Sequence, residues 1–272
     1  TADPWLLAQM AGLLLVIGAF AGVVAGLLGV GGGIVLVPAF FYLFSALGYG
    51  SAQLMQVCLA TSLATIIVTS ARSVQSHNRK GAVDWDILRG WAIWIGLGAV
   101  LGVLVAAGLR SVVLQGIFGL LGVFIGLYFG FGRNSWQLGP VMPSGVKKLL
   151  IAPVIGFLSV LMGIGGGSFG VPLMTLHGVA IHRAVATAAG FGIIIALPSV
   201  LTFLLVPIAD APPFTIGAVN LPAFALVVAM TLITAPMGAK LAHAMDPKPL
   251  KRVFAVFIMV MALNMLRKAV GF

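Results

Sequence analysis

Ten apolar runs, parted by short polar, glycine- or proline-bearing stretches, make up nearly all of the chain. They cover about 5–28, 33–47, 52–71, 86–108 and 112–131, then 149–163, 167–178, 184–206, 219–244 and 249–268. Most approach the roughly 20 residues that a helix needs to cross a bilayer. The pattern therefore predicts an all-α polytopic membrane protein, with five hydrophobic segments in each half. The second run of each half is short, either spanning or re-entrant, and meets the first at a Gly-rich break.

Those breaks correspond. Gly29, Gly31, Gly32, Gly33 and Pro38 match Gly163, Gly165, Gly166, Gly167 and Pro172 at a constant offset of 134. Ala60 and Thr61 align with Ala186 and Thr187, Gly81 and Asp84 with Gly217 and Asn220, and Gly102 with Gly238. Leu114 and Phe118 align with Leu250 and Phe254. The expected organisation is a first transmembrane repeat over 1–131, a cytoplasmic linker over 132–148 and a second repeat over 149–272. The linker holds Arg133, Asn134, Ser135, Pro140, Pro143, Ser144, Lys147 and Lys148.

Composition agrees with the pattern. Of 272 residues 61% are hydrophobic and 7% charged, and the mean hydropathy is +1.19; soluble domains carry roughly 25% charge. The five acids, Asp3, Asp84, Asp86, Asp210 and Asp246, fall at segment ends or in loops. A net charge of +10 forms no basic face, so no nucleic acid is expected. Its distribution instead sets an orientation. With five crossings per half and the N-terminus outside, the inner loops hold twelve of the fifteen basic residues, leaving Arg110, Arg267 and Lys268 outside. Both termini then lie outside, and an odd number of crossings inverts the second repeat about an axis in the membrane plane.

A backbone break in hydrocarbon is tolerated only where protein or a water-filled cavity covers it. Glycines let bare amides turn and approach a ligand, and the short segments that follow present helix N-termini, each with about half a positive charge. Two such tips facing one another suit a small oxyanion. The expected binding residues are Gly31, Gly32, Gly33, Thr61, Ser62, Gly165, Gly166, Gly167, Ser168 and Thr187. The alternative is that the clusters only pack helices, and that Thr61, Ser62 and Thr187 bond to carbonyls one turn back. Absence of an acid inside any segment argues against a cation carrier.

Pro38 and Pro172 are expected hinges. Gln56, His182 and Arg183 are expected at the mouths as gates or as solvated loop residues, with His182 aligned to Gln56. His77, His177 and His243 read as loop or interface histidines, and Trp5, Trp85 and Trp91 as interface anchors. Gly116, Gly119, Gly122, Gly126 and Gly130 read as a packing stripe. Cys58 is the single cysteine, so no internal disulfide or paired-cysteine metal motif is expected; with no Ser-His-Asp order, His-rich cluster or intramembrane carboxylate, neither a cofactor nor a catalytic residue is expected.

The paired clusters, with Ala60-Thr61, Ala186-Thr187 and a late run from Pro236 to His243, resemble the TauE/SafE sulfite exporter family along essentially the whole chain. The resemblance implies a carrier in a cell inner membrane, exporting a small sulfur-containing anion, sulfite or an organosulfonate such as sulfoacetate, by alternating access. Its partners would be that anion and the lipid bilayer; oligomeric state has no sequence signal. Proton-coupled uptake of an anion such as thiosulfate, or an anion channel, are the alternatives. No enzyme is expected.

Overall fold

The computed structural model describes residues 4–132, 136–244 and 246–271. The linker positions Arg133, Asn134 and Ser135, and the side chains of Lys248, Leu250, Lys251 and Phe254, lie outside the described residues. The described chain forms α1 (Pro4–Leu28), α2 (Gly33–Ala46), α3 (Leu54–Asn78), α4 (Trp85–Gly108), α5 (Ser111–Phe131), α6 (Gly145–Leu161), α7 (Gly167–Leu176), α8 (Ile181–Phe203), α9 (Leu221–Ala244) and α10 (Pro247–Val270). All ten expected segments are helices. Six of them, α1, α3, α4, α5, α8 and α9, are long and apolar enough to cross a membrane, which makes this an all-α polytopic membrane protein.

Departures have local causes. Helix α3 runs on to Asn78, past the apolar run that ends near 71, because its last turns bury Ser73 and His77 one turn apart while Arg72 and Gln75 stay exposed. Helix α6 begins at Gly145, inside the stretch expected as linker, so Lys147 and Lys148 are helical and extend their charges outward. Ahead of α9, a two-residue hairpin pairs β1 (Thr215–Ile216) with β2 (Val219–Asn220) around Gly217, whose φ of 55° suits a tight turn. Trp91 is buried in the core rather than anchoring an interface, whereas Trp5 and Trp85 are exposed.

Helix pairing is organised by small residues. Helix α1 packs on α9, α4 on α6, α5 on α10 and α3 on α8; α2 lies on α3, and α7 on α8. Relabelling α1–α5 as α6–α10 exchanges these pairs among themselves. A Cβ on Gly26 would fall 2.0 Å from the Ala235 carbonyl oxygen, and one on Gly156 would fall 1.9 Å from that of Ile95. These are backbone-to-backbone contacts that any side chain would prevent.

The stripe on α5 does pack, against α10: Gly119 meets Ala262 and Leu266, Gly126 meets Ile258, and Gly130 meets Ala255. Rising numbers on α5 meet falling numbers on α10, so these two helices run antiparallel.

Candidate anion site

The two breaks meet in the protein interior. The Gly165 N–H donates to the Val30 carbonyl at 3.3 Å. A Cβ on Gly33 would sit 2.2 Å from the Gly163 carbonyl oxygen, and one on Gly167 would sit 2.1 Å from that of Gly29. The tips are therefore in direct backbone contact. Gly31, Gly32, Gly33, Gly165, Gly166, Gly167 and Ser168 are all buried there.

Each break is made differently. In the first, Gly29, Gly31 and Gly32 have φ of 68°, 74° and 77°, a conformation that side-chain-bearing residues rarely adopt. In the second only Gly163 has positive φ, at 60°. Gly165 and Gly167 are needed there for closeness rather than for dihedral freedom.

From this junction α2 and α7 leave toward opposite ends of the bundle. The outer end of α2 sits by Ser111 at the start of α5, where Phe41, Ser45 and Ser111 line one groove. Helix α7 ends by the other terminus of α5, where Tyr128 and Thr175 hydroxyls lie 3.2 Å apart. At 14 and 10 residues they are about 21 and 15 Å long, against roughly 30 Å of hydrocarbon, which puts their shared origin well inside the membrane. Pro38 and Pro172 lie inside these helices and deprive the carbonyls of Ile34 and Ser168 of their usual donors.

Hydroxyl groups divide into two sets. Ser62 Oγ donates to the Gly163 carbonyl at 2.7 Å, clamping α3 to the opposite break. Ser168 Oγ is buried and has no hydrogen-bond partner among the described residues. Thr61 on α3 and Thr187 on α8 each hold the start of a helix from the other half. Thr187 Oγ1 accepts the Asp84 N–H at 2.9 Å, and Thr61 Oγ1 accepts the Asn220 N–H at 2.9 Å. None of these four bonds to a carbonyl one turn back, although Thr65 and Thr69 do. As acceptors, Thr61 and Thr187 keep their own O–H hydrogens for donation.

Among the described residues no opening separates the tips. With no Cβ on either side, backbone fills the space, and a cavity of about 10 Å³ lies beneath the first break. It is lined by Leu28, His77, His182, Val185 and His243 among others. This is room for about one water.

A family model described as "Sulfite exporter TauE/SafE" matches residues 14–265. The chain belongs to the sulfite exporter TauE/SafE family. It is 31% identical over 258 residues to a probable membrane transporter protein of Haemophilus influenzae, covering 94% of this chain and 98% of that one. A probable membrane transporter protein of Methanocaldococcus jannaschii is 25% identical, covering 93% and 94%. One from Bacillus subtilis, YunE, is 30% identical over 60% of this chain and 67% of its own. No solved structure matches. Members of the TauE/SafE family are membrane transporters and not enzymes.

In this family member the three mouth residues separate. His182 and Arg183 are exposed at the start of α8; Arg183 pairs with Asp84 at 2.9 Å, and His182 stacks on His243. Gln56 is buried at the opposite end of the bundle, where its amide donates to the Ala106 and Leu109 carbonyls that end α4. Sequence reasoning missed the His77–His243 contact, because the two are 166 positions apart in the chain. It also missed Asp84 and Asn220 as helix caps, although Asp and Asn just before an apolar run are a known start signal.

Proposed function

We propose that this TauE/SafE protein exports a small sulfur-containing anion, sulfite or an organosulfonate such as sulfoacetate, by alternating access at the paired breaks. The observation that carries this reading is the contact of two glycine tips beside a buried, unpartnered Ser168 hydroxyl. Hydroxyls and amides hold an anion without burying a full counter-charge. In the conformation described the tips are closed on one another; cargo binds as they part. Thr61 and Thr187 complete the donor set, while Ser62 clamps the closed tips, with Pro38 and Pro172 as hinges and Gln56, His182 and Arg183 at the two mouths.

Orientation follows the basic loops, which are taken as cytoplasmic, in a cell inner membrane. The antiparallel α5–α10 pair supports an odd number of crossings in each of the repeats 1–131 and 149–272, hence their inversion. An anion leaving a negative interior gains about 2.3 kcal/mol per charge per 100 mV, so export needs no coupling ion.

Proteoliposomes loaded with radiolabelled sulfite, sulfoacetate or thiosulfate test this. Saturable, potential-driven flux of a sulfur anion, weakened by Ser168→Ala in a protein of unchanged stability, is the expected result. Equal flux in both proteins removes Ser168 from the site, and unsaturable flux makes the protein a channel.

A further inference from the structure

Beneath the first break, three imidazoles from three helices meet around the small cavity. His77 Nε2 lies 3.0 Å from the Gly26 carbonyl oxygen, and His77 Nδ1 lies 3.0 Å from His243 Nε2. The His182 ring stacks on His243 with centroids 5.7 Å apart and planes at 22°. His77 is buried and His182 exposed, so the row runs from the end of α1 to the surface. It ties together α1, α3, α8 and α9. No set of His, Cys, Asp or Glu among the described residues is arranged to hold a metal ion.

Hydrogen bonding fixes the protons. A carbonyl only accepts, so His77 carries its hydrogen on Nε2; in the neutral ring Nδ1 is then bare and accepts from His243 Nε2–H. The Gly26 carbonyl belongs to the last turn of α1 and, next to the break, gains its partner from this ring. One added proton can be absorbed by reversing the His77–His243 bond. A second leaves two N–H groups pointing at each other across 3.0 Å, between two cations.

Among the described residues that line the cavity, none offsets that charge. Lys80 and His182 both act on His77 and His243. Lys240 is exposed on α9, one turn before His243, and Arg183 on α8 is held by Asp84. Helix α1 brings no titratable side chain, and the cavity is lined by no carboxylate.

The opposite end of the bundle differs. There Gln56, the counterpart of His182, holds the carbonyls that end α4 with an amide that does not titrate. One end is thus closed by imidazoles and the other by a neutral amide.

We propose that His77 and His243, with His182 stacked on His243, form a proton-binding site that latches this end of the bundle: the neutral pair holds α1 and α9 on α3 and keeps α8 against them, and protonation of the pair releases them. Release exposes a cationic row leading to the junction of the breaks, and an arriving anion supplies the missing counter-charge. The latch rests on and deepens the proposed transport reading, since it sets the pH at which the mouth assigned there to the cytoplasm admits cargo.

The test needs no cargo. The full chain carrying Cys58→Ser and Ile181→Cys is reconstituted in liposomes, and alkylation by a membrane-impermeant maleimide is measured from each side. Its rate is divided by that of the exposed control Gln75→Cys at the same pH, which cancels the titration of the thiol. Between about pH 8 and pH 4 the ratio should rise on the order of tenfold, because release needs a second proton on the buried pair. His243→Gln should flatten the response; where that variant does not fold, His182→Gln on the surface should reduce it. A ratio that does not change with pH in the parent, or a response that survives both substitutions, overturns the latch. Failure of sulfur-anion flux would leave this result intact, and labelling from the other side only would reverse the orientation while keeping the latch.

Discussion

Thr61 on α3 accepts the backbone N–H of Asn220, and Thr187 on α8 accepts that of Asp84, each at 2.9 Å. The two contacts are counterparts: each threonine reaches across to the residue that caps a long helix of the other half. Asn220 Oδ1 accepts from Ala223 N, and Asp84 Oδ1 from Ile87 N, so the same residues also satisfy the first turns of α9 and α4. Thr61→Val should strand a buried N–H and destabilise the protein by about 1–3 kcal/mol, whereas Thr61→Ser should cost much less. Unfolding midpoints in detergent check this. Equal midpoints for the valine and serine variants would show that the hydroxyl does not brace α9.

Gly33 and Gly167 are packed more tightly than their place in a flexible-looking cluster suggests. A methyl on either would lie about where a carbonyl oxygen of the facing break already is, 2.2 and 2.1 Å away. Overpacking of this kind costs about 1–3 kcal/mol or more, because backbone and not a movable side chain has to give way. Gly33→Ala and Gly167→Ala should therefore lower both yield and thermal midpoint. Gly116→Ala is the control: its nearest neighbour is 3.9 Å away, and alanine favours the helix by up to about 1 kcal/mol. Should all three variants melt alike, the tips would not be in contact.

Most of this was readable from pattern. Hydrophobic length predicted every helix, since apolar runs in a bilayer have few alternatives to α-helix. The offset of 134 marked both breaks, and it did so because glycine has no substitute where φ is positive or backbones touch. What periodicity does not carry is rotation. Thr61 and Ser62 are adjacent in sequence, yet one helical step of about 100° turns Ser62 to the Gly163 carbonyl and Thr61 to the start of α9. Nor does hydropathy register an amphipathic helix end, so the last turns of α3, and with them His77, lay beyond the expected segment.

Ser62 and Ser168 separate structural from ligand-binding hydroxyls. Ser62 already has the Gly163 carbonyl as its acceptor, so Ser62→Ala should cost about 1 kcal/mol of stability. Ser168 has no partner among the described residues. Ser168→Ala should leave stability unchanged or slightly improved, since a buried, unsatisfied hydroxyl is removed. Its expected signature is a raised KM for anion flux at an unchanged melting temperature. A drop in melting temperature as large as that of Ser62→Ala would mean that Ser168 has a structural partner instead.

Asp84 combines two roles that its counterpart shows to be separable. It caps α4 through Oδ1 and pairs with Arg183 through Oδ2, while Asn220 caps α9 with no charge at all. The Arg183 side chain is 54% exposed, so solvent and salt screen the pair and its contribution falls within about 0–1 kcal/mol. Asp84→Asn keeps the capping oxygen and should be nearly neutral, as Arg183→Gln should be. Asp84→Ala removes the cap and should cost about 1 kcal/mol or more. Melting temperatures at low and high salt distinguish the two roles: the Asp84→Ala deficit should persist in high salt. If Asp84→Asn proves as damaging as Asp84→Ala, the ion pair rather than the cap holds this corner, and Arg183 becomes a structural residue instead of a gate.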